Sequence, residues 1–372
     1  MHHLLPILIA AIALALTAAC SDGCSTPTDD SLPGVERLHF GTYHVCTIDD
    51  RQSVWCTGKN DHGQLGDGTT HTRSDLVQVV DLGKISGLAV GFFDVTCAWN
   101  EPGEVFCWGN NKEGVLANDD LDQSERPLTI DVPAVAEVTV GAYHACALTL
   151  DQQVYCWGSN TRGQLGLGTG VGPTVTEPTA VPDLTGVRAV RAGAIHTCAI
   201  TDEGALYCWG NNENQQLGLG TGVPGTTTPT LVDLPGPAAD LAVSFRHSCA
   251  LVGERRELYC WGDNSYGQLG LDDLEPRPTP TPVVEMAYVD ELATATGQVC
   301  ARIDSQVFCA GEILRPIEEA RQAGEPFIFE LSTALRGTTE LWSGVLAICG
   351  KATDHAVSCR GVQHQALAGD IF

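Results

Sequence analysis

Basic residues are scarce in this sequence. Lysine and arginine number 20 against 46 aspartates and glutamates, which gives a formal net charge of −26 at pH 7. A surface of that sign repels phosphate backbones and anionic lipid headgroups, so no direct binding to nucleic acid is expected. Aromatic residues are also few, at 6% of the chain, whereas the 41 glycines suit many short strands joined by tight turns.

Long apolar runs are missing as well, so the only membrane attachment predicted is through a lipid. The longest run, Leu4 to Leu16, has the length of a signal-peptide core and is followed by Thr17-Ala18-Ala19-Cys20. This ending resembles a bacterial lipobox, whose cysteine is lipidated after cleavage. We therefore predict a signal peptide at 1–19, lipidation of Cys20 and a flexible tether at 20–33, rich in Ser, Thr, Asp and Pro. The predicted location is the bacterial cell envelope, outside the cytoplasm; free secretion is the alternative.

Motifs of the common enzyme classes are absent too. The chain has no Ser-His-Asp order in a telling motif, no phosphate loop and no zinc pattern. We therefore predict no catalytic residue, no cofactor and no metal. The acidic loop pieces Gly66–Thr69 and Asp119–Asp122 offer oxygen ligands that suit Ca²⁺, but loops in so acidic a protein carry such groups by chance.

Cysteine, in contrast, is abundant and periodic. Besides Cys20 and Cys24, fourteen cysteines form pairs separated by nine to eleven residues, and the pairs recur every 49 to 52 residues. A regular period over the whole mature chain predicts a repeat architecture. The seven pairs are Cys46 with Cys56, Cys97 with Cys107, Cys146 with Cys156, Cys198 with Cys208, Cys249 with Cys260, Cys300 with Cys309 and Cys349 with Cys359.

Each cysteine pair predicts a β-hairpin. In Gly141–Gly158, two short apolar runs flank a polar centre, and facing Cys146 with Cys156 places Ala147 opposite Tyr155 and Leu148 opposite Val154. Directly opposed Cβ atoms are close enough for a disulfide, so we predict one in every repeat. Zinc sites favour closer cysteine pairs, and reduced core cysteines would suit the cytosol, whereas an export signal favours an oxidising compartment. If Cys20 is lipidated, Cys24 is left unpaired; otherwise the two can pair.

Both faces of these hairpins are apolar. One face sets a small residue opposite an aromatic one, and the other carries cysteine with Leu, Ile or Val. Sheets covered on both sides and arranged in a ring leave only short edges, which is typical of a propeller. The small–aromatic pairs are Ala98 with Phe106, Ala147 with Tyr155, Ala199 with Tyr207, Ala250 with Tyr259 and Ala301 with Phe308.

A longer signature follows the second cysteine. It is Trp157-Gly-Ser-Asn-Thr-Arg-Gly-Gln-Leu-Gly166 in the third repeat, and it recurs at Thr57–Gly66, Trp209–Gly218 and Trp261–Gly270. A Gly-x-x-His element precedes the first cysteine, as in Gly141 to His144. Together these motifs resemble the regulator of chromosome condensation repeat, which implies an all-β, seven-bladed β-propeller over 34–372.

Repeats six and seven depart from the pattern. They keep Val307–Gly311 and Val357–Gly361 but no recognisable Gly-Gln-Leu-Gly. An outer strand of blade seven is therefore unaccounted for, and we expect the segment from Leu32 to Phe40 to help close the ring.

The recurrent polar residues have structural explanations. The asparagine after each Trp-Gly pair is expected to bond neighbouring backbone in a turn. The recurrent histidine is expected to bond backbone between blades rather than to act as a base or a metal ligand. These residues are Asn60, Asn111, Asn160, Asn212, Asn264, His44, His144, His196 and His247.

The resemblance implies protein–protein interaction, so the leading hypothesis is a monomeric, non-catalytic scaffold that binds a protein partner. Residues just before the histidine positions are large and repeat around the ring, as interface anchors do, although packing between blades explains them equally well. The family includes an exchange factor for a small nuclear GTPase and secreted inhibitors of β-lactamases. The predicted partner-binding residues are Tyr43, Phe92, Phe93, Tyr143, Ile195, Phe245 and Arg246.

Three alternatives remain open: a secreted inhibitor of an extracellular enzyme, a structural envelope protein, and an enzyme with its active site in the central channel. The enzyme would need catalytic residues that depart from the repeat. Such departures concentrate in repeats six and seven, at Arg302, Glu312, Arg315, Lys351, His355 and Arg360.

Overall fold

The repeated hairpins form the middle of seven antiparallel sheets. In the computed structural model, which describes residues 35–311, 328–332, 334–345, 347–353 and 357–361, six sheets have four strands and one has three. Each sheet is one blade, and its strands are hydrogen-bonded in chain order. The predicted all-β, seven-bladed propeller is thus confirmed. Within the described part of the chain there is no helix, and hence none that could cross a membrane.

Blades 1 to 4 contain sixteen strands. Those of blades 1 and 2 are β1 (Val35–Phe40), β2 (His44–Asp49), β3 (Val54–Gly58), β4 (Arg73–Gln78), β5 (Gly87–Val90), β6 (Val95–Trp99), β7 (Val105–Asn110) and β8 (Gln123–Ile130). Those of blades 3 and 4 are β9 (Val135–Val140), β10 (His144–Thr149), β11 (Val154–Ser159), β12 (Thr174–Ala180), β13 (Val187–Ala192), β14 (His196–Thr201), β15 (Leu206–Asn211) and β16 (Gly225–Leu231).

Blades 5 to 7 contain the remaining strands. Those of blades 5 and 6 are β17 (Ala238–Val243), β18 (His247–Val252), β19 (Glu257–Gly262), β20 (Arg277–Pro282), β21 (Glu291–Ala295), β22 (Gln298–Ile303), β23 (Gln306–Ala310) and β24 (Glu330–Leu331). Blade 7 has β25 (Thr338–Trp342), β26 (Ala347–Ala352) and β27 (Val357–Gly361).

The predicted hairpin register is confirmed. Cys146 lies opposite Cys156, Ala147 opposite Tyr155 and Leu148 opposite Val154. The longer and the shorter repeat keep the same pairing because the length difference falls at the hairpin tip.

All seven predicted disulfides are present, one in the central hairpin of each blade. Their Cα atoms lie 4.0 to 4.1 Å apart, as direct opposition on neighbouring strands requires. The bonds join Cys46 to Cys56, Cys97 to Cys107, Cys146 to Cys156, Cys198 to Cys208, Cys249 to Cys260, Cys300 to Cys309 and Cys349 to Cys359.

The antiparallel order places the connections on two faces. The turn between first and second strands and the loop between third and fourth strands share the turn face, where the Lys59 amide donates to the Tyr43 carbonyl at 2.9 Å. The hairpin tip and the link to the next blade share the opposite, hairpin face. There the Tyr288 amide donates to the Arg255 carbonyl at 2.6 Å.

The blades are held together by a recurrent latch on the turn face. The Gln164 carbonyl of blade 3 accepts hydrogen bonds from the Trp209 indole (3.0 Å) and the Thr197 hydroxyl (2.9 Å) of blade 4. Gln64 of blade 1 and Gln216 of blade 4 accept in the same way from the following blade. The tryptophan also packs on the last glycine of the loop, since a Cβ on Gly166 would lie 2.7 Å from the Trp209 Nε1. These contacts explain why Trp-Gly and Gly-Gln-Leu-Gly recur together.

The ring closes where blade 1 meets blade 7. Phe40 of β1 forms a parallel bridge with Gly344, and Leu38 packs with Trp342 and Cys349. The expectation that Leu32 to Phe40 helps to close the ring is therefore confirmed for β1. The predicted signal peptide, tether and Cys20 and Cys24 lie outside the described residues.

Candidate functional site

The predicted partner-binding residues converge at the middle of the turn face. They lie in the turns between first and second strands of blades 1 to 5, and most belong to one apolar cluster. We call this set the hub; its members are Tyr43, Phe92, Phe93, Tyr143, Ile195, Phe245 and Arg246.

Aromatic and cationic contacts connect hub residues of different blades. The rings of Phe92 (blade 2) and Phe245 (blade 5) meet edge to face at 5.8 Å between centroids. Phe93 and Tyr143 lie 5.2 Å apart, and the Arg246 guanidinium stacks over Phe245 at 5.5 Å. Because Phe92 and Phe245 come from non-adjacent blades, the hub packs across the propeller axis.

The hub residues differ in accessibility. Phe92 is 8% exposed and serves packing, whereas Tyr143 is 41% exposed. Tyr43 lies under the Lys59 ammonium at 5.3 Å. Burial, together with the negative charge of Glu113, raises the pKa of Tyr143 above its ordinary value, so this phenol stays a neutral hydrogen-bond donor. Packing therefore explains Phe92, whereas partner binding through the exposed residues stays a prediction.

Small residues that the sequence did not single out complete the hub cluster. Ala142, Ala194 and Val345 are buried within it. Main-chain bonds link these turns around the axis, as from the Ala142 amide to the Ala194 carbonyl (3.0 Å) and from the Thr296 amide to the Val345 carbonyl (2.9 Å). Val345 was missed because its turn has lost the Gly-x-x-His pattern; its position before the second strand of blade 7 was the only signal.

The hub lies at one end of a central cavity of about 660 Å³, since Phe92 and Val345 also line that cavity. Two carboxylates of its wall, Glu137 and Glu291, take part in contacts between blades. Glu137 accepts bonds from the Val190 amide and the Arg191 guanidinium at 3.0 Å, and Glu291 accepts one from the Leu341 amide at 2.9 Å. These carboxylates join neighbouring inner strands.

The recurrent histidines act between blades, as expected, but their partner is a hydroxyl group rather than backbone. The Nε2 of His144 lies 2.9 Å from the Thr197 hydroxyl, and that of His196 lies 3.0 Å from the Ser248 hydroxyl. Because each hydroxyl donates to a latch carbonyl, its oxygen is left to accept, which assigns the proton to Nε2. His44 and Thr96 repeat the arrangement.

Burial keeps these histidines neutral. It lowers the pKa of His144 and of His196 to about 3, and that of His44 and of His247 to about 4. The Nδ1 of each has no hydrogen-bond partner, so a second proton would create a buried, uncompensated charge. His247 also lacks an Nε2 partner, because blade 6 has Val299 at the position where blades 2, 4 and 5 have Thr96, Thr197 and Ser248.

The asparagines brace the loops as predicted, since the side-chain Oδ1 of Asn60 accepts a hydrogen bond from the Leu65 amide at 3.0 Å. The acidic loop at Gly66–Thr69 is internally compensated. Burial raises the pKa of Asp67, but hydrogen bonds from Thr69 and Arg73 outweigh it and hold that pKa below its ordinary value. No cluster of three or more His, Cys, Asp or Glu among the described residues is placed to hold a metal.

The six residues named for an enzyme with an active site in the central channel fall into two groups. Glu312, Arg315 and His355 lie outside the described residues. Of the three that the structure describes, Arg302, Lys351 and Arg360, none lines the central cavity. Arg302 instead pairs with Asp290 at 3.1 Å and with Glu291 at 3.3 Å.

Comparison with protein-family models matches residues 14–312 to the RCC1-like domain. Two curated relatives come from Arabidopsis thaliana. The mitochondrial RCC1 domain-containing protein RUG3 is 31% identical over 275 residues, which cover 70% of this chain and 60% of that protein. The ultraviolet-B receptor UVR8 is 31% identical over 256 residues, covering 65% of this chain and 56% of that receptor. The chain thus spans less than two thirds of the length of these relatives.

Solved structures share the fold at low sequence identity. Prp20p from Saccharomyces cerevisiae, studied for its binding to Gsp1p and histones, has a TM-score of 0.73 at 21% identity, over 91% of this chain and 84% of Prp20p. Human WBSCR16 has a TM-score of 0.72 at 19% identity, over 90% of this chain and 88% of that protein.

Proposed function

Because this chain belongs to the RCC1-like domain family, we propose that it is a non-catalytic scaffold that binds a protein partner through the hub, outside the cytoplasm. The observation that carries the proposal is the convergence of five blades on one apolar patch whose rim stays accessible. Tyr143 and Phe93 form an aromatic pair at that rim, and Lys59 and Arg246 stack on neighbouring rings. Aromatic and arginine side chains are the usual anchors of protein interfaces.

The seven disulfides support a location in an oxidising compartment, where such bonds persist. Lipidation of Cys20 remains part of the proposal. Its test is the mass of the mature protein from its native membrane. A lipid adduct on Cys20 that is absent from a Cys20→Ala variant is expected, and an unmodified N-terminus in the membrane-bound protein would contradict it.

Partner binding is tested by site-specific photocrosslinking in the native cell. A photoreactive phenylalanine analogue replaces Tyr143 on the hub, or Tyr288 on the hairpin face. Both tyrosines are well exposed, at 41% and 62%, so they form a matched pair. We expect a discrete adduct from position 143 only. The same adduct from position 288, or none from 143, would refute docking on the hub.

The identity of the crosslinked protein also separates the alternatives. An extracellular enzyme whose activity falls when the propeller binds would indicate the secreted-inhibitor function. A partner that assembles on the propeller without loss of its own activity would indicate the scaffold.

A further inference from the structure

Carboxylates on the inner strand, the first strand of each blade, accept main-chain hydrogen bonds from the inner strand of the next blade. Glu137 of blade 3 accepts from the Val190 amide of blade 4 at 3.0 Å, and Glu291 of blade 6 accepts from the Leu341 amide of blade 7 at 2.9 Å. Both carboxylates occupy the same register position, opposite the second residue after the first cysteine of their blade. We call this the junction position, since its side chain bridges two blades.

Blade 1 has a cation at the junction position, namely Arg37. Across the junction, Leu88 of β5 has the register of Val190 and Leu341, because each lies opposite the residue directly after the first cysteine of its blade. A guanidinium has only donors, so it cannot accept from the Leu88 amide. The junction of blades 1 and 2 therefore offers two hydrogen-bond donors where the junctions after blades 3 and 6 have a donor and a carboxylate.

Arg37 also lines the central cavity, at the end away from the hub, because β1 runs from the hairpin face to the turn face. It is exposed, and it has no ion pair among the described residues. The other charged groups of the wall have partners: Arg191 pairs with Glu137 at 3.0 Å, and Asp240 accepts from the Leu241 amide at 2.8 Å. The cavity wall at Arg37 is thus positively charged although the chain as a whole is strongly acidic.

The wall beside Arg37 is neutral and has small or aromatic residues. Blade 2 has Gly87 at its junction position, and the Trp99 ring lies directly over it, since a Cβ on Gly87 would lie 2.0 Å from that ring. Ala89 and the partly accessible Trp99 both face the cavity. Burial and the positive charge of Arg37 lower the pKa of His39 to about 3, so this imidazole in the wall is neutral.

From this arrangement we propose that the central cavity binds a small organic acid, whose carboxylate lies between the Arg37 guanidinium and the Leu88 amide. The ligand carboxylate takes the place that the Glu137 side chain has between blades 3 and 4, and the bond to Arg37 is charge-assisted. An apolar or aromatic remainder packs against Ala89 and Trp99. A cavity of about 660 Å³ suits a molecule of this class and is too small for a folded partner. The site is separate from the hub, so the inference does not rest on partner binding there.

Binding is tested on the full, oxidised chain with para-fluorobenzoate, followed by fluorine NMR. We expect saturable binding, and a loss of affinity of about tenfold or more in Arg37→Gln or when the neutral para-fluorobenzamide replaces the acid. Arg51→Gln is the matched control, because Arg51 is an exposed arginine on the hairpin face of the same blade that does not line the cavity. Absence of saturable binding, equal affinity for acid and amide, or equal losses in the two variants would overturn the inference.

A second variant separates loss of the site from loss of the fold. Arg37→Glu gives blade 1 a carboxylate at the junction position, which can accept from the Leu88 amide as Glu137 does from the Val190 amide. We expect this variant to unfold thermally no earlier than the natural chain and to bind no para-fluorobenzoate. Earlier unfolding, or retained binding, would contradict the proposed role of the junction position.

The place of binding is tested with a photoreactive acid, para-benzoylbenzoate. After irradiation, peptide mapping should find the label on β1, β5 or other strands of the cavity wall in the natural chain, and para-fluorobenzoate should compete with it. The Arg37→Glu chain should not be labelled there. Labelling confined to the hub or to the outer surface would overturn the inference.

Discussion

Blades 1 to 5 and blades 6 to 7 reach the same fold with different contacts between neighbours. In the first group a buried tryptophan of each following blade donates to a loop carbonyl of the preceding one, at Trp108, Trp157, Trp209 and Trp261. Blade 6 has Ala310 at that position, and blade 7 has Arg360. The interfaces of blades 6 and 7 rely instead on inner strands and turns, as in the bond from the Thr294 hydroxyl to the Val243 carbonyl at 3.0 Å.

This contrast separates what makes a blade from what joins two blades. The cysteine-stapled hairpin is common to all seven repeats, so it is sufficient to define a blade. The latch is an additional device that fixes the interface, and its tryptophan is replaced by Ala310 in blade 6 and by Arg360 in blade 7. We therefore expect the ring to open first among blades 6, 7 and 1 at neutral pH.

Acidification is expected to reverse the order in which the blades open, and this is the largest of the predicted effects. The four recurrent histidines lie in blades 1, 3, 4 and 5, and their pKa values in the folded state, like that of His39 in blade 1, are about 3 to 4 against an ordinary value of 6.5. Below pH 6.5 the unfolded chain binds more protons than the folded chain, so stability falls as the pH falls towards the folded pKa values. At full effect, a shift to about 3 corresponds to about 5 kcal/mol for His144 or His196, and a shift to about 4 to about 3 kcal/mol for His44 or His247.

Hydrogen exchange at pH 7 and pH 4.5 would measure this reversal. The amides of β10 and β14 should lose protection at the lower pH more than those of β22 and β26. His144→Gln, which cannot titrate, should weaken the pH dependence. A uniform loss of protection over all seven blades would contradict the assignment to these histidines.

Removal of one latch tryptophan is the next largest effect. Trp209 is fully buried, so Trp209→Ala should lower the free energy of unfolding by about 3–5 kcal/mol. Trp55 is the control: it is only partly buried and bonds Asp49 of its own blade at 2.9 Å. Thermal unfolding of the oxidised proteins compares the two, and a smaller loss for Trp209→Ala than for Trp55→Ala would show that the latch is not what holds blades 3 and 4.

The hydroxyl in the latch is expected to contribute less. Thr197→Val keeps the shape but leaves the Nε2 of His144 and the Gln164 carbonyl each with one bond fewer, at a cost of about 1–3 kcal/mol. Ala145→Ser is the matched control. Ala145 of blade 3 is the counterpart of Thr197, but blade 2 has Val95 in place of the histidine, so a hydroxyl at position 145 meets no imidazole. Urea unfolding should place the first variant well below the second; equal midpoints would refute the role of the hydroxyl.

The smallest effect is expected at the surface. Arg162 pairs with Glu213 of the next blade at 2.8 Å, but both side chains are more than half exposed, at 51% and 59%. Arg162→Ala should therefore change stability by less than about 1 kcal/mol. Arg302, with a side chain only 17% exposed, should matter more when changed to Ala. The reverse ranking would mean that an exposed ion pair between loops contributes more to stability than the less exposed pairs of Arg302 within blade 6.

The sequence alone predicts the strand pairing within a blade but not the contacts between blades. The spacing of Cys146 and Cys156 and the alternation of Ala147 with Tyr155 determine a hairpin register, because pairing within a hairpin is local and periodic. The latch joins Trp209 to a carbonyl 45 residues earlier, and a carbonyl acceptor is present at every residue, so no residue type marks it. The sequence likewise does not mark the partner of the histidines, and we expected a backbone group. The observed partner is the hydroxyl of the Thr or Ser just before the first cysteine of the next blade.

The hub was predictable only in part. The recurrence of large residues before the histidine positions identified Phe92 and Tyr143 together, but which is buried depends on where the ring axis lies. Phe92 meets Phe245 from a blade on the far side of the axis, a contact set by closure of the whole ring. Partner binding by the hub remains a prediction.

Every disulfide joins a cysteine to the next cysteine along the chain, nine to eleven positions away. If the chain is exported as proposed, each pair can therefore become oxidised before the next pair emerges on the far side of the membrane. Oxidative maturation then proceeds from the first blade to the last without reshuffling, and demand for disulfide isomerase activity should be low despite the number of thiols.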